Sequence, residues 1–484
     1  MSISGSLANA MSGLNAAARA AEVVSANVSN ALTEGYGRRE LDLAARSLGG
    51  NGAGVGVVGV SRKVDERVIG ERRLADSQLA YSSASAEFLS ELQSLLGLPD
   101  DPGSVSGLIT KFEATLIEAA SRPDSEPRLQ AVLNSASALA TKLNQTSDSI
   151  QTIRLAADSD INNQVGSLNA GLARIADLNG DIRTQLAAGY DATALMDQRQ
   201  QAIDSIAQIV PMKQVPRGNG QIALFTPGGA ILLDGRPATI GFSPVGTIVP
   251  QMMAGTSSLS GLTLNGVPVS AGPGGPMAGG SLSGLFAVRD DQAVVAQSRL
   301  DAVARDLIER FADPSVDPTL TAGDPGLFTD AGVALNPANE IGLSGRLSVN
   351  SLVDPANGGA LWRLRDGLAA SAPGDVGNAT LLNALTDALG APRVPASGGF
   401  IGAARSAVGL AGDMASLVNI DLRAAEADKS FGLAKVDTLK SLELQAGVDT
   451  DHELQNLLLV EQAFAANARV VTTVDEMIQT LLRL

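Results

Sequence analysis

Side chains able to do chemistry are few in this sequence, and their surroundings argue against the reactions they would serve. Gly54, Gly56 and Gly59 satisfy the GxGxxG spacing of a dinucleotide-binding loop. Such a loop follows a strand and opens a helix whose N-terminus meets the pyrophosphate. Here the glycines are interleaved with Val55, Val57, Val58 and Val60, which predicts a strand or turn. Asp313, Asp317, Asp324 and Asp330 are calcium ligands by type, but they lack the EF-hand spacing and its closing Glu, so a solvated loop is expected. His452 is the single histidine, and no Ser or Asp is tied to it by spacing. With no cysteine in the chain, thiol catalysis, disulfides and thiolate metal sites are excluded. Asn27-Val28-Ser29 is a glycosylation sequon, but it lies on a helix that reads as packed, so its role is taken as structural. No catalytic, cofactor-binding or metal-binding residue is assigned, and no enzyme is expected.

The elements around these residues follow from composition. At 484 residues the chain has room for about three domains of ~150 residues. It is 45% hydrophobic but only 3% aromatic, so its cores must be built from Ala, Leu, Val and Ile, as in closely packed helices. A net charge of −16 without a Lys/Arg cluster repels phosphate backbones, which argues against nucleic-acid binding. The first 30 residues lack the basic start and apolar block of a signal peptide, and no unbroken run of ~18 apolar residues follows. Neither Sec export nor membrane insertion is expected. A cytoplasmic protein fits this composition, and so does one threaded unfolded through a dedicated secretion channel.

Both termini carry apolar residues at alternating spacings of three and four. Near the start these are Ile3, Leu7, Ala10, Leu14, Ala17, Ala21, Val24, Val28 and Ala31. Most are Ala or Val, so the stripe is flat and needs a partner to repay the ordering of a helix. Near the end the same alternation runs through Leu457, Val460, Phe464, Asn467, Val471, Val474, Ile478 and Leu481. Bulky residues facing small ones predict a coaxial pair of terminal helices about 40 Å long, at ~1.5 Å per residue. Asn467 within the seam would set its register. The alternative is that each helix docks on its own globular domain. Apolar positions reaching the extremities favour burial against other subunits, because free ends are usually polar and frayed. Leu7, Leu14, Val24, Val28, Leu457, Phe464, Asn467, Val471, Ile478 and Leu481 are the candidate packing residues.

The stretch from Ala26 to Tyr36, Ala-Asn-Val-Ser-Asn-Ala-Leu-Thr-Glu-Gly-Tyr, resembles the signature of flagellar axial proteins. Asn27 and Asn30 would hydrogen-bond backbone at a helix end, Gly35 permits a positive φ, and Tyr36 anchors the turn. Glu34 stands where that family often has Pro. Three further stretches resemble the hook-associated protein 1 family. They are the Gly/Val strand Gly52–Asp65 with Arg62 and Asp65 at its end, the Leu168, Leu172, Ile175, Leu178, Ile182, Leu186 helix followed by Asp197-Gln198-Arg199, and Gly279-Gly280 leading into a helix at Leu282 and Leu285. The order Gly447-Val448-Asp449, Glu453-Leu454, Gln462 to Ala468 agrees at the other end. The resemblance covers residues 1–70, about 165–300 and 400–484.

The resemblance implies a secreted structural subunit at the flagellar hook–filament junction, assembled as a ring of identical copies. It implies hook protein below, another hook-associated protein above, and a cytoplasmic export chaperone on the C-terminal helix. It also implies type III export, without a cleavable signal peptide, to an extracellular position. Hook protein itself is the nearest alternative, and the Asp197-Gln198-Arg199 region speaks against it. A secreted hydrolase with coiled ends, using two carboxylates, and a cytoplasmic coiled-coil adaptor are alternatives from other classes.

The expected fold is mainly α with a β-containing middle. The coaxial N/C-terminal helix pair joins a helical bundle domain formed by both chain ends, with an outer α+β or β-rich domain from the middle segment. Segments are drawn at 1–48 (axial helix and signature turn), 49–214 (helical rod), 215–312 (β-rich plus helix), 313–400 (irregular outer domain), 401–446 (helical rod) and 447–484 (axial helix). Helices are expected near 75–95, 126–155, 160–188, 193–209 and 285–312. Strands are expected at 222–225 and 231–233, with a hairpin turning at Asn265-Gly266.

Overall fold

The protein, seen as a computed structural model, is described over residues 3–48, 51–98, 100–255, 258–400 and 402–483. Helix α1 (Ile3–Ser29) leads through the signature turn into an antiparallel hairpin of β1 (Arg38–Leu48) and β2 (Asn51–Lys63). A helical body follows, made of α2 (Glu66–Leu96), α3 (Val105–Ser121), α4 (Glu126–Ala187) and α5 (Thr193–Ala207). The middle of the chain is β-rich. Strands β3 (Lys213–Pro216), β4 (Ile222–Phe225), β5 (Ile231–Asp234) and β6 (Arg236–Pro237) form one antiparallel sheet, and β7 (Ile240–Gly241), β8 (Leu262–Leu264) and β9 (Val267–Val269) another.

Next come α6 (Gly280–Ala287), a π-helical turn (Val288–Gln292) and α7 (Ala293–Phe311). Strands β10 (Phe328–Asp330) and β11 (Leu347–Val349) pair, and α8 (Arg363–Asp366) and α9 (Thr380–Gly390) follow. The chain then returns along the body as α10 (Ala407–Gln445) and ends in α11 (Thr450–Arg483). Helix α10 packs along α2 and α11 along α1, so both ends of the chain build the helical layers, as the spacing predicts. The fold is mainly α with a β-containing middle.

Two hydrophobic cores lie along α4. Its residues Leu129 to Ala157 pack with α3, α7 and α10, while Ile161 to Ile175 pack with α5, α6 and the two sheets. The two helices expected at 126–155 and 160–188 are one helix of 62 residues, about 93 Å long at 1.5 Å per residue. No Gly or Pro interrupts the junction, and its one costly residue is satisfied. Asp158, fully buried there, accepts from Arg289 Nη1 at 2.5 Å and from Val245 N at 2.8 Å.

Three expectations need correction. Strand β1 is absent from the expected elements, and the boundary drawn after residue 48 separates it from its partner β2. Helix α3 was also missed, although Ser104 caps it by accepting from Gly107 N. Residues 313–400 are poor in regular elements, as expected, but they are not an outer appendage. Phe328 stacks edge-on with Phe112 of α3 at 5.8 Å and tilts against Phe311 of α7 at 5.5 Å. Leu343, Leu347, Val353, Leu364, Leu382 and Leu389 join the same core. Polar loops hid them, because Leu343 and Val353 lie in single turns, Leu347 and Leu364 in elements of three or four residues too short to show a period, and Leu382 and Leu389 in the isolated short helix α9.

Candidate assembly surface

The terminal helices do form a pair. On α1, Val24 is buried and Leu7, Leu14 and Val28 are half-buried. On α11, Val474 is buried and Leu457, Asn467, Val471 and Ile478 are half-buried. Asn467 lies against Gly13, where an added Cβ would stand 2.6 Å from its amide nitrogen. A side chain at position 13 would push the Asn467 amide aside. Two expected seam residues lie on the open side instead. Phe464 is 46% exposed and Leu481 59%. A single partner helix covers one narrow stripe, whereas α11 carries apolar residues over a wider arc.

Helix α1 is covered on a second side by the β1–β2 hairpin, a contact that periodicity did not disclose. Ser12 Oγ accepts from Val55 N at 3.1 Å, next to Gly54 at φ +87°. The GxGxxG glycines therefore lie within β2 and open no helix. The four aspartates considered for calcium are taken up by protein donors. Asp313 caps Ser315 N, Asp317 accepts from Thr319 N and Leu368 N, Asp324 accepts from Thr321 N, and Asp330 pairs with Arg346. His452 is exposed and donates its backbone N–H to the Asp449 carboxylate at the start of α11.

The signature turn is held by one fully buried amide. Asn27 donates through Nδ2 to Arg39 O and accepts through Oδ1 from Arg39 N and from the Tyr36 hydroxyl, each at 2.9 Å. Burial pushes the Tyr36 hydroxyl up in pKa, so it stays protonated and keeps donating, while Arg39 stacks 5.0 Å over the ring. Asn30 donates to Ala26 O at 2.9 Å, and Gly35 adopts φ +79°.

This turn then docks on the body through a residue 160 positions away. Asp197 accepts from Gly37 N at 3.0 Å and from Arg62 Nε at 2.7 Å through one oxygen, and from Arg39 Nη2 at 3.4 Å through the other. Arg199 donates to Asn179 and to Gly220 O, and Asp65 caps α2 by accepting from Arg67 N and Val68 N. Three stretches singled out in the sequence thus meet at one joint.

Partners that went unnoticed complete the joint. Arg38 donates to the buried Glu453 at 2.7 Å, tying β1 to the first turn of α11. Arg72 bridges Asp76, Asp204 and Glu443, which fastens α2 to α5 and α10. Burial disfavours the Arg72 charge, but Asp204 and Glu443 outweigh it and raise the pKa. The Arg38-Arg39 doublet just after the turn was the available signal. Its acidic partners lie too far along the chain for spacing to disclose.

Outside the seam, α11 leaves Leu454, Leu458, Leu459, Phe464, Met477, Leu481 and Leu482 open to solvent. An 18-residue stretch within Ala407–Arg483 is apolar enough to cross a membrane by length and composition alone, and it is almost wholly exposed. Polar residues interrupt it, so it contains no unbroken apolar run. Uncovered apolar surface of this extent marks an interaction face.

Comparisons with known proteins address the same regions. Residues 89–316 match the family described as the flagellar hook-associated protein FlgK helical domain. Residues 7–36 match the flagella basal body rod protein family, and 444–484 the C-terminal family of flagellar basal body rod FlgEFG proteins. Flagellar hook-associated protein 1 of Bacillus subtilis is 24% identical over 98% of this chain and 97% of its own length. Over nearly its whole length the chain is similar to flagellar hook-associated protein 1. Another hook-associated protein 1, from Salmonella typhimurium, is 29% identical over 52% of this chain and about half of its own length (50%). Among solved structures, the flagellar hook junction protein FlgK from Burkholderia pseudomallei aligns with a TM-score of 0.43 at 20% identity, over 54% of this chain and 47% of that one. In this chain the two rod-protein matches coincide with α1 with its signature turn and with α11.

Proposed function

We propose that this chain is a structural subunit of the bacterial flagellum at the junction between hook and filament. Its terminal helices order fully when neighbouring copies cover them. The observation that supports this most is the position of α1 and α11 outside every hydrophobic core of the body, with a row of large apolar residues on α11 left open. Such a face gains burial only from other chains. The work of the chain is packing, not catalysis.

In this reading the partners are identical copies in a ring, hook protein on one side and another hook-associated protein on the other. A cytoplasmic chaperone holds α11 before export, and the place of action is extracellular. The segments 1–48 and 447–484 then form the axial layer, and 49–214 with 401–446 the rod, whose core also takes in α7 and the apolar residues of 313–400.

Replacing both Phe464 and Val471 by Asp should leave the body folded and abolish incorporation into flagella. The check is circular dichroism of the purified variant beside electron microscopy of cells that carry it. A deletion strain should show hooks without filaments and lose flagellin to the medium. Normal filaments in either strain would sink the proposal.

A further inference from the structure

A cleft of about 380 Å³ separates the head of α2 from α5 and β3. In a chain of net charge −16 it gathers five cations, Arg62, Arg67, Arg73, Arg199 and Lys213, against two acids, Glu66 and Glu71. Glu71 already pairs with Arg67 at 3.2 Å. Arg62 pairs with Asp197 and Arg73 with Asp204, so among the described residues the cleft's cations without a carboxylate partner are the buried Arg199 and the exposed Lys213. Ile69, Met196 and Met212 add apolar lining.

Arg199 stands apart from the other buried arginines. Arg72, Arg73, Arg289, Arg310 and Arg365 each pair with a carboxylate. Arg154 has no carboxylate but donates through Nε and both terminal nitrogens to protein oxygens. Arg199 donates through Nη1 alone, and among the described residues its Nε and Nη2 have no partner. Burial first, and then the nearby Arg62 and Arg73, hold its pKa down to about 10 against the attraction of Glu66. A buried guanidinium repelled by its neighbours is stabilised by an anion.

The wall of the cleft carries a second feature. Strand β3 pairs only with β4, so it is an edge strand with an open row of backbone groups, closed at one end by Pro216. Its residues Lys213 and Gln214 line the cleft. An open strand edge beside a cationic hollow suits an extended acidic segment, with main-chain bonds for affinity and a side-chain pocket for specificity.

We propose that this cleft binds an extended acidic peptide segment of a partner protein, its backbone adding to β3 and one carboxylate pairing with Arg199. The inference stands on charge and strand topology and holds or fails independently of the flagellar reading. The test is calorimetric titration of the full chain with acetyl-Val-Glu-Val-Glu-Val-amide, with its Gln-for-Glu counterpart and with inorganic phosphate. The Glu peptide should bind saturably at one site and weaken as salt is added. Lys213→Glu, at an exposed position, and Arg199→Gln should each lower that affinity by about tenfold or more. Lys213→Glu keeps the test valid if loss of Arg199 disturbs the fold. No saturable binding up to about 1 mM peptide overturns the proposal. So does equal binding of the Gln peptide, or affinity unchanged in both variants. Phosphate binding as tight as that of the Glu peptide makes the cleft a site for an adventitious ion only, which also overturns it.

Discussion

Asp197 holds Gly37, Arg39 and Arg62 with two oxygens, and no other described carboxylate joins the signature turn, the hairpin and the body at once. Asp197→Ala leaves Arg62 with Gln200 and a carbonyl in place of its charge partner. A loss of about 3 kcal/mol is expected, the cost of removing one member of a buried pair. Urea denaturation monitored by circular dichroism measures it, and a change under 1 kcal/mol, near the value of an exposed pair, would remove Asp197 from the joint. Ala331 lies at φ +50° in the turn of the β10–β11 region, a conformation that costs a side chain about 1 kcal/mol. Ala331→Gly should therefore leave the melting temperature unchanged or raise it by up to about 1 °C, because relief of strain offsets the entropy that glycine adds to the unfolded chain, and a clearly lower one would refute strain at this turn.

Elements are locked to each other where glycine removes the side chain. Gly279 and Gly280 take φ +98° and +77°, and a Cβ on Gly280 would strike Ile209 O at 2.1 Å. There Ser281 N and Leu282 N donate to Gln208 O and Ile209 O, so the start of α6 satisfies the end of α5. Gly284 lets α6 cross α2, with Tyr81 O only 3.1 Å from an added Cβ. Gly284→Val should cost about 2 kcal/mol through overpacking against backbone that cannot give. Gly432→Ala, at ordinary contact distances of 3.4 Å from Leu79, should cost about 1 kcal/mol or less. Equal losses in the two variants, measured by thermal melts, would show that crossing distance does not govern these contacts.

On the scale of the whole molecule, among the described residues the hydrophobic cores draw only on residues between Ala75 and Leu439, and on none from α1, the hairpin or α11. A fragment spanning 66–445 should accordingly unfold cooperatively, with a melting temperature within about 5 °C of the full chain. Calorimetry decides this, and a fragment without a cooperative transition would make the ends part of the folded body. Hydrogen exchange should be fast along α1 and α11 in the dilute chain and slow in assembled flagella. Protection of both helices in the isolated chain would contradict ordering by assembly.

Sequence alone determined whatever depends on neighbours within a few residues. The seams at both ends, the strand character of Val55 to Val60, the Asn265-Gly266 hairpin and the positive φ at Gly35 are local, because helix period, pleat and turn conformation are set over one or two turns of chain. Distant pairings required the folded chain. That Asp197 would meet Gly37, that Glu453 would meet Arg38, and that the leucines of 313–400 would enter the helical core depend on loops closing over tens to hundreds of residues. The continuity of α4 depended on Asp158 finding Arg289, and the open side of Phe464 on α1 covering only one stripe of α11. Periodicity shows which residues seek burial, but only the packed chain shows which partner each one reaches.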